Sequence, residues 1–212
     1  DNKSVTELAS QYGTFGGTSY ALDLDYQHND GFRPNNDLDS IEWYTTLKQQ
    51  ITPQDTLLAL IKYEEYHSGD NFQYYDPLNK TNGYRPNFRF DEYQQPIVVG
   101  GWHHEWSPGM HTMFLGGRLL NEQRFSDRDV PEIVLLEDST GTVVGRDTTG
   151  VDVDYRNHLE IYSAEVNQLC DWHRVTLSVG ARYQTGKFQT MDLLSNPSRV
   201  RFLLENPPAQ DS

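Results

Sequence analysis

Apolar and polar positions alternate at every second residue along most of the chain, and the 3.6-residue rhythm of a helix is nearly absent. In SYALDLDYQ, Tyr20, Leu22, Leu24 and Tyr26 point one way while Ala21, Asp23, Asp25 and Gln27 point the other. In SIEWYTTLKQQI the apolar side is Ile41, Trp43, Leu47 and Ile51, opposed by Glu42, Thr46, Lys48 and Gln50. In TLLALIKYEEY, Leu57, Ala59, Ile61 and Tyr63 oppose Lys62 and Glu64, with Leu58 and Leu60 blurring the pattern. RVTLSVGARYQTG is the cleanest case. Val175, Leu177, Val179, Ala181 and Tyr183 share a side, and Thr176, Ser178, Gly180, Arg182 and Gln184 share the other. The pattern predicts an all-β chain of seven strands, at 17–28, 39–51, 56–67, 96–106, 111–124, 157–169 and 174–189. All are longer than the usual strand of about 5–6 residues.

The connections sort by length. TPQD (52–55), SPGM (107–110) and CDWH (170–173) are short. They alternate with long segments at 29–38, 68–96 and 125–156. If each strand pairs antiparallel with the next, the short turns gather at one end and the long loops at the other. That is the asymmetry of an up-and-down transmembrane β-barrel. Bacterial single-chain barrels have an even number of at least about eight strands, so seven imply an incomplete barrel. It forms one segment over 1–212, with a polar lead-in at 1–14 and a truncated external loop at 191–212. The polar opening DNKSVTELASQYG lacks the apolar core of a signal peptide. It and the loop-like LLENPPAQDS read as cuts in a longer protein. An antiparallel sheet with one wet face also alternates. The alternative is therefore a soluble or surface β-sheet module that binds carbohydrate or protein.

Composition narrows the partners. Thirty-one acidic against 17 basic residues give a formal charge of −14, which argues against a nucleic-acid partner, since phosphate binding needs clustered Lys and Arg. No run approaches the roughly 18 apolar residues of a membrane helix, and mean hydropathy is −0.73. The single cysteine, Cys170, cannot form an internal disulfide. Aromatic residues make up 12% of the chain. Trp102 and Trp106 precede a predicted turn, Trp43 lies on another strand and Trp172 falls inside CDWH. Their expected place is the boundary between lipid and water, where a ring with one apolar and one polar end is favoured. Gly100, Gly101, Gly116 and Gly117 should face one another across the hairpin closed at SPGM.

Alternation puts Asp23, Asp25, Glu42, Lys48, Lys62, Glu64, Arg118 and Arg182 on the polar side. In a wide barrel these would line the lumen and tune solute selectivity. His103 and His104 must diverge on a strand, which leaves His111 and Glu105 to accompany only one of them. Such a hairpin-end group reads as interfacial polarity, and no metal, cofactor or catalytic site is assigned. There is no G-x-S-x-G, and the carboxylate pairs Glu64/Glu65 and Asp91/Glu92 are sequence neighbours that diverge. DSTGT (138–142), between IVLL and VV, reads as a small hairpin inside an acidic loop. That loop could cover a pore mouth or share divalent cations with lipopolysaccharide. DNFQYYDP (70–77) adds rings able to stack on sugars or to pack its own loop.

The phrases LLALIKYEEYHSGDNFQYYDP, GGWHHEWSPGMHTMFLGGRL and TLSVGARYQTGKF resemble Gram-negative outer-membrane barrels. The likeness is to barrels of the porin and TonB-dependent-receptor kind, and to those attached to tetratricopeptide repeats. The resemblance implies passage of a solute through a polar lumen, as a channel or receptor-transporter, with long external loops for gating or ligand capture. A barrel that only anchors another domain is the further option. The implied partners are membrane lipid, lipopolysaccharide, an unidentified solute and a periplasmic energy-coupling or repeat domain outside this chain.

Overall fold

The computed structural model describes residues 3–71, 78, 85–172 and 174–195. Among them there is no helix, and eight strands form one antiparallel sheet in chain order. They are β1 (Val5–Phe15), β2 (Thr18–Asn29), β3 (Leu38–Gln50), β4 (Asp55–Ser68), β5 (Arg89–Ser107), β6 (Met110–Glu137), β7 (Val143–Trp172) and β8 (Val175–Ser195). Each strand contacts only its chain neighbours. β1 and β8 are therefore unpaired edges, and the sheet is not closed.

The strand count is eight where periodicity predicts seven. Periodicity leaves β1 as a lead-in because neither of its faces is apolar. Val5, Glu7, Ala9, Gln11 and Gly13 share one face, Thr6, Leu8, Ser10 and Tyr12 the other. It is a strand because its backbone completes eleven cross-strand pairs with β2. The predicted loop 68–96 is shorter, since β5 begins at Arg89. The predicted loop 125–156 is mostly strand. β6 and β7 continue beyond Ser126 and Asp152, where β5 and β8 stop pairing with them, as a two-stranded ribbon. A bulge between Asp127 and Val130, with Asp129 at φ 55°, breaks the alternation before pairing resumes. The small hairpin read from DSTGT is the tip of this ribbon. β8 runs on to Ser195, and 196–212 of the expected terminal loop lie outside the described residues.

The turns segregate as their lengths predict. Gln50 N–H donates to Gly17 O (2.7 Å), Glu105 N–H to Gln54 O (2.9 Å) and Asp171 N–H to Gly109 O (2.7 Å). These bonds tie the short turns side by side at one end. At SPGM, Gly109 has φ +83°, and a Cβ there would stand 2.8 Å from Asp171 O, so both backbone conformation and space call for glycine.

At the other end the first two long connections interlock. Asp70 is fully buried and paired with Arg33 at 3.4 Å. Its carboxylate accepts from Arg85 N–H (3.0 Å), and its carbonyl accepts from Arg33 Nη2 (2.6 Å) and Asn36 Nδ2 (2.9 Å). Asn35, at φ 57°, donates through Nδ2 to the carbonyls of Arg85 and Phe88, both at 2.8 Å. The adjoining Asp127, at the base of the ribbon, is held above the usual carboxylate range by burial, against the lowering effect of the Arg128 N–H.

Side-chain packing supplies almost no core. Leu120 is the one buried apolar residue among those described, at 5% exposure.

The ribbon tip carries its own cap. Asp138 Oδ1 accepts from Thr140 Oγ1 (2.6 Å), Thr140 N–H (2.8 Å) and Thr142 N–H (3.0 Å). These bonds, the hydroxyl first, hold its pKa below the ordinary carboxylate value. A depressed carboxylate stabilises the folded form above its unfolded pKa and loses that contribution as pH falls through the folded value. Asp138→Ala should therefore speed amide exchange at Thr140 and Thr142 at neutral pH, with the difference from wild type vanishing in acid. Equal exchange at neutral pH would show that the cap does not hold the tip.

Candidate functional site

Cross-strand partners in an antiparallel ladder share a face, so the pairing assigns every strand residue to one of two surfaces. One surface is apolar. It carries Tyr20, Leu22, Leu24 and Tyr26 on β2, and Ile41, Trp43 and Leu47 on β3. Leu57, Ala59, Ile61 and Tyr63 continue it on β4, and Val98, Gly100 and Trp102 on β5. Phe114 and Gly116 on β6, Val166 and Ala164 on β7 and Val175 to Tyr183 on β8 complete it. Leu177, Val179, Ala181 and Tyr183 share this face and point away from Ser178, Gly180 and Arg182, as the alternation predicts. Among the described residues nothing covers it: Val179 is 58% exposed and Tyr183 69%. Exposure alternates along β5 with the apolar side the more open, as on the outer side of a curled sheet.

The apolar band crosses the sheet at a slant. The row through its centre on β2 runs Leu22–Thr45–Ile61–Val98–Arg118–Tyr162–Thr185. The band's centre on β8, Val179, lies six residues from Thr185 after six strand-to-strand steps. One residue per strand, at about 3.3 Å rise and about 4.8 Å spacing, is a slope of about 35°. Corrected for that slope, Tyr26, Tyr63, Tyr162 and Tyr183 fall at a common level toward the loop end, with Trp43 beside them. Phe15, Trp106 and Trp172 mark the turn-side margin, and Trp102 lies within the band. The height follows from Trp172 to Tyr162 on β7 and Val175 to Tyr183 on β8, about 22 to 27 Å. Trp172 ends β7 instead of lying in the turn.

Polar pairs begin just outside both margins. Toward the loops stand His28–Asp39 (2.5 Å), His67–Asp91 (2.6 Å) and His158–Glu122 (3.2 Å). Toward the turns, Asp55 accepts from Thr52 Oγ1 (2.7 Å) and Trp102 Nε1 (3.1 Å) and pairs with His104 Nδ1 (2.7 Å).

The opposite surface gathers Asp23, Asp25, Glu42, Lys48, Lys62, Glu64 and Arg182. Asp25, Glu42 and Glu64 form one cross-strand row, and Lys62 Nζ reaches Glu42 and Glu64 at 3.0 Å each. Lys48 stands apart, opposite Ser19 and Leu58. Arg182 pairs with Glu165.

Arg118 is a correction. It lies opposite Val98 and Tyr162 on the apolar face, in regular alternation with Phe114 and Gly116, and the sequence hides this because Met113, Leu115 and Leu119 make the other side of β6 apolar too. Its guanidinium stands 5.9 Å from the Tyr162 ring and bonds Glu160 at 2.9 Å, at the tyrosine margin. Gly100 does face Gly116, whereas Gly101 and Gly117 face Leu115 and Val99.

His103 and His104 point to opposite faces, and His111 joins His103 at 3.0 Å. Among the described residues no three metal-ligating side chains converge. Residues 72–77 of the aromatic stretch DNFQYYDP lie outside the described residues.

Sequence reading missed further members of the polar face because it placed them in loops. Glu92 accepts from Asn121 Nδ2 (2.7 Å) and Gln123 Nε2 (3.1 Å). Around it, Tyr66 meets Phe90 edge-on at 5.8 Å, while Phe125 stacks on Phe88 at 6.2 Å and on Tyr155 at 4.7 Å. The signal was present as the aromatic–charge alternation of FRFDEY.

No known family profile, curated protein or solved structure matches the chain.

Glu42 and Glu64 are direct cross-strand partners, a pairing that like charges make unfavourable. Lys62→Met should cost about 1 kcal/mol, a partly exposed triad being screened. Adding Glu42→Gln should restore part of it. Urea unfolding of the wild type and the two variants in detergent micelles measures this. An unchanged midpoint for Lys62→Met would mean the triad adds nothing.

Proposed function

We propose that this sheet is a wall segment of a Gram-negative outer-membrane β-barrel whose polar face lines a solute path. The observation that carries the reading is the uncovered apolar band. Its height of about 22 to 27 Å is close to the apolar band of about 25 Å on such barrels. Its slope of about 35° falls at the strand tilt of about 35–45° found in them. Aromatic rings mark both margins, where their amphipathic character is favoured. In water the same band would be an unsatisfied apolar surface larger than monomers normally expose. In lipid it needs no partner, and outside the bulges the backbone inside the sheet is paired along its ladders.

The solute path is the polar face, with the Asp25–Glu42–Glu64 row and Lys62 across β2–β4 and the Arg182–Glu165 pair across β7–β8. The interlocked residues 30–37, 69–71 and 85–88 and the projecting β6–β7 ribbon stand at one mouth. There they can gate the lumen or capture a ligand. The reading assigns a channel or receptor-transporter with no catalytic step. Membrane lipid and lipopolysaccharide meet the outer face. Both edges await further strands, since a membrane barrel leaves no edge unpaired.

Depth dependence tests the membrane assignment. Val179 lies near mid-band and Val175 at the turn-side margin. In phospholipid, Val179→Arg should destabilise by about 2–4 kcal/mol and Val175→Arg by about 0–1 kcal/mol. Folding titrations into liposomes measure both. Equal costs at the two depths would remove the lipid-facing reading.

A further inference from the structure

One part of the polar face is not polar. Leu58 and Leu60, which blur the alternation of β4, point to the same side as Lys62 and Glu64. Val99 on β5 and Met113 and Leu115 on β6 join them there. The row Lys48–Leu58–Gly101–Leu115–Glu165 runs straight across β3 to β7. Along the slope of one residue per strand, the mid-height of the outer band falls at Ala59, Gly101 and Phe114, so the row lies at that level. Gly101 makes the row a groove. A Cβ there would stand 2.8 Å from Leu115 Cδ2 and 3.4 Å from Leu58 Cβ, so the missing side chain leaves a hollow between two leucines. The hollow has a volume of about 360 Å³, and Lys48, Thr56, Leu58, His103, Met113 and Leu115 are among the residues that line it.

These side chains are not packed core. Leu58, Leu60 and Val99 are half-buried, and Met113 and Leu115 are 38% and 36% exposed. Single exposed apolar side chains are ordinary, but a contiguous group among charged neighbours marks a contact site. Charge then names what fits. Lys48 stands exposed at one end of the row and makes no ion pair among the described residues, although the chain carries 31 acidic residues. Lys62 and Arg182, the other cations on this face, are both held by glutamates. At the far end Glu165 is held by Arg182 and Asn167 and closes the row to a second anion. From β3 to β6 the row spans about 14 Å, the length of an extended alkyl chain of about twelve carbons. A concave, mostly apolar site with a few placed polar groups is the ordinary form of a small-ligand pocket.

We infer that this groove binds a single-chain fatty acid. The carboxylate meets the Lys48 ammonium, and the alkyl chain crosses Leu58 and Gly101 to end against Leu115 and Met113. Burial of the methylenes holds the chain, and the unpaired ammonium selects an anionic head over a cationic one. Glu165 disfavours a second carboxylate at the far end, so a monocarboxylate fits and a dicarboxylate does not. The inference rests on the reading of the polar face as a solute path and names a solute class for it.

Photolabelling of the full-length protein in phospholipid liposomes tests this. The probe is dodecanoic acid carrying a diazirine at its methyl end, and mass spectrometry maps the residues it labels. It should label Met113 or Leu115 on the polar face, and also the apolar band, which meets probe dissolved in the bilayer. Unlabelled laurate should compete at the groove about tenfold better than dodecylamine, and Lys48→Glu should reverse that preference. Gly101→Val fills the hollow against the flexible end of Leu115 and should lower groove labelling about tenfold. Band labelling should stay unchanged in both variants, which shows that they are folded, and the exposed Lys48 keeps the test informative if Gly101→Val unfolds the sheet. A labelled band with an unlabelled groove, the result if a segment of the protein covers the leucines, would overturn the inference. Groove labelling that neither substitution alters would overturn it too. A labelled groove with an unlabelled band would keep the site and remove the membrane wall, so the two readings fail separately.

Discussion

Hydrogen bonding between sequential neighbours carries nearly the whole of this fold, because the described residues include no second layer for side chains to pack against. Each strand meets only the strands before and after it in the chain. A lone sheet in water is not a stable solution for a chain that must bury an apolar face. The surrounding medium is thus part of the structure. If that medium is lipid, the apolar face is satisfied and the paired backbone is the feature that permits insertion.

From that constraint the two faces follow. With a side-chain period of two, every residue of a regular strand must choose between the apolar and polar surfaces, and the choice passes unchanged to the next strand through the pairing. Bulges are the exceptions. The shift between Gln95 and Val98 alters the count midway along β5. Phe90 and Glu92 thereby reach the polar face, while Arg118, before the shift, stays in regular alternation with Phe114 and Gly116 on the apolar face, where Glu160 and the Tyr162 ring hold its charge at the band's margin. A guanidinium there keeps its stem on apolar surface and its head among polar groups.

The two ends of the sheet differ in construction. The turn end is made of short links whose backbone groups bond sideways to the neighbouring turn. The loop end is organised by one buried residue, Asp70, whose carboxylate holds Arg33 and the Arg85 N–H and whose carbonyl holds Asn36, drawing two connections into one cluster. Beside it the ribbon leaves the sheet with its apolar Ile133, Leu135 and Val144 exposed. On the proposed lumen reading, this end, where the aromatic wall, the acidic row and the interlocked connections meet, is a place for solute specificity.

The sequence by itself determined the secondary structure, the up-and-down antiparallel order, the segregation of the turns, and which residues of β2, β3 and β8 share a face. All of these are consequences of local alternation and of connection length, which a single chain displays without its partners. Periodicity also made the acidic and basic residues of β2–β4 legible as one surface. It did not reveal β1, whose faces are equally polar and whose existence depends on β2. Nor did it reveal the ribbon, where a bulge interrupts the count within a charged stretch. The slope of the apolar band, the levels of the aromatic margins and the convergence of Tyr66, Phe90, Phe125 and Tyr155 belong to the tertiary structure alone. Each is a relation between strands distant in sequence, and only the register of their pairing decides it.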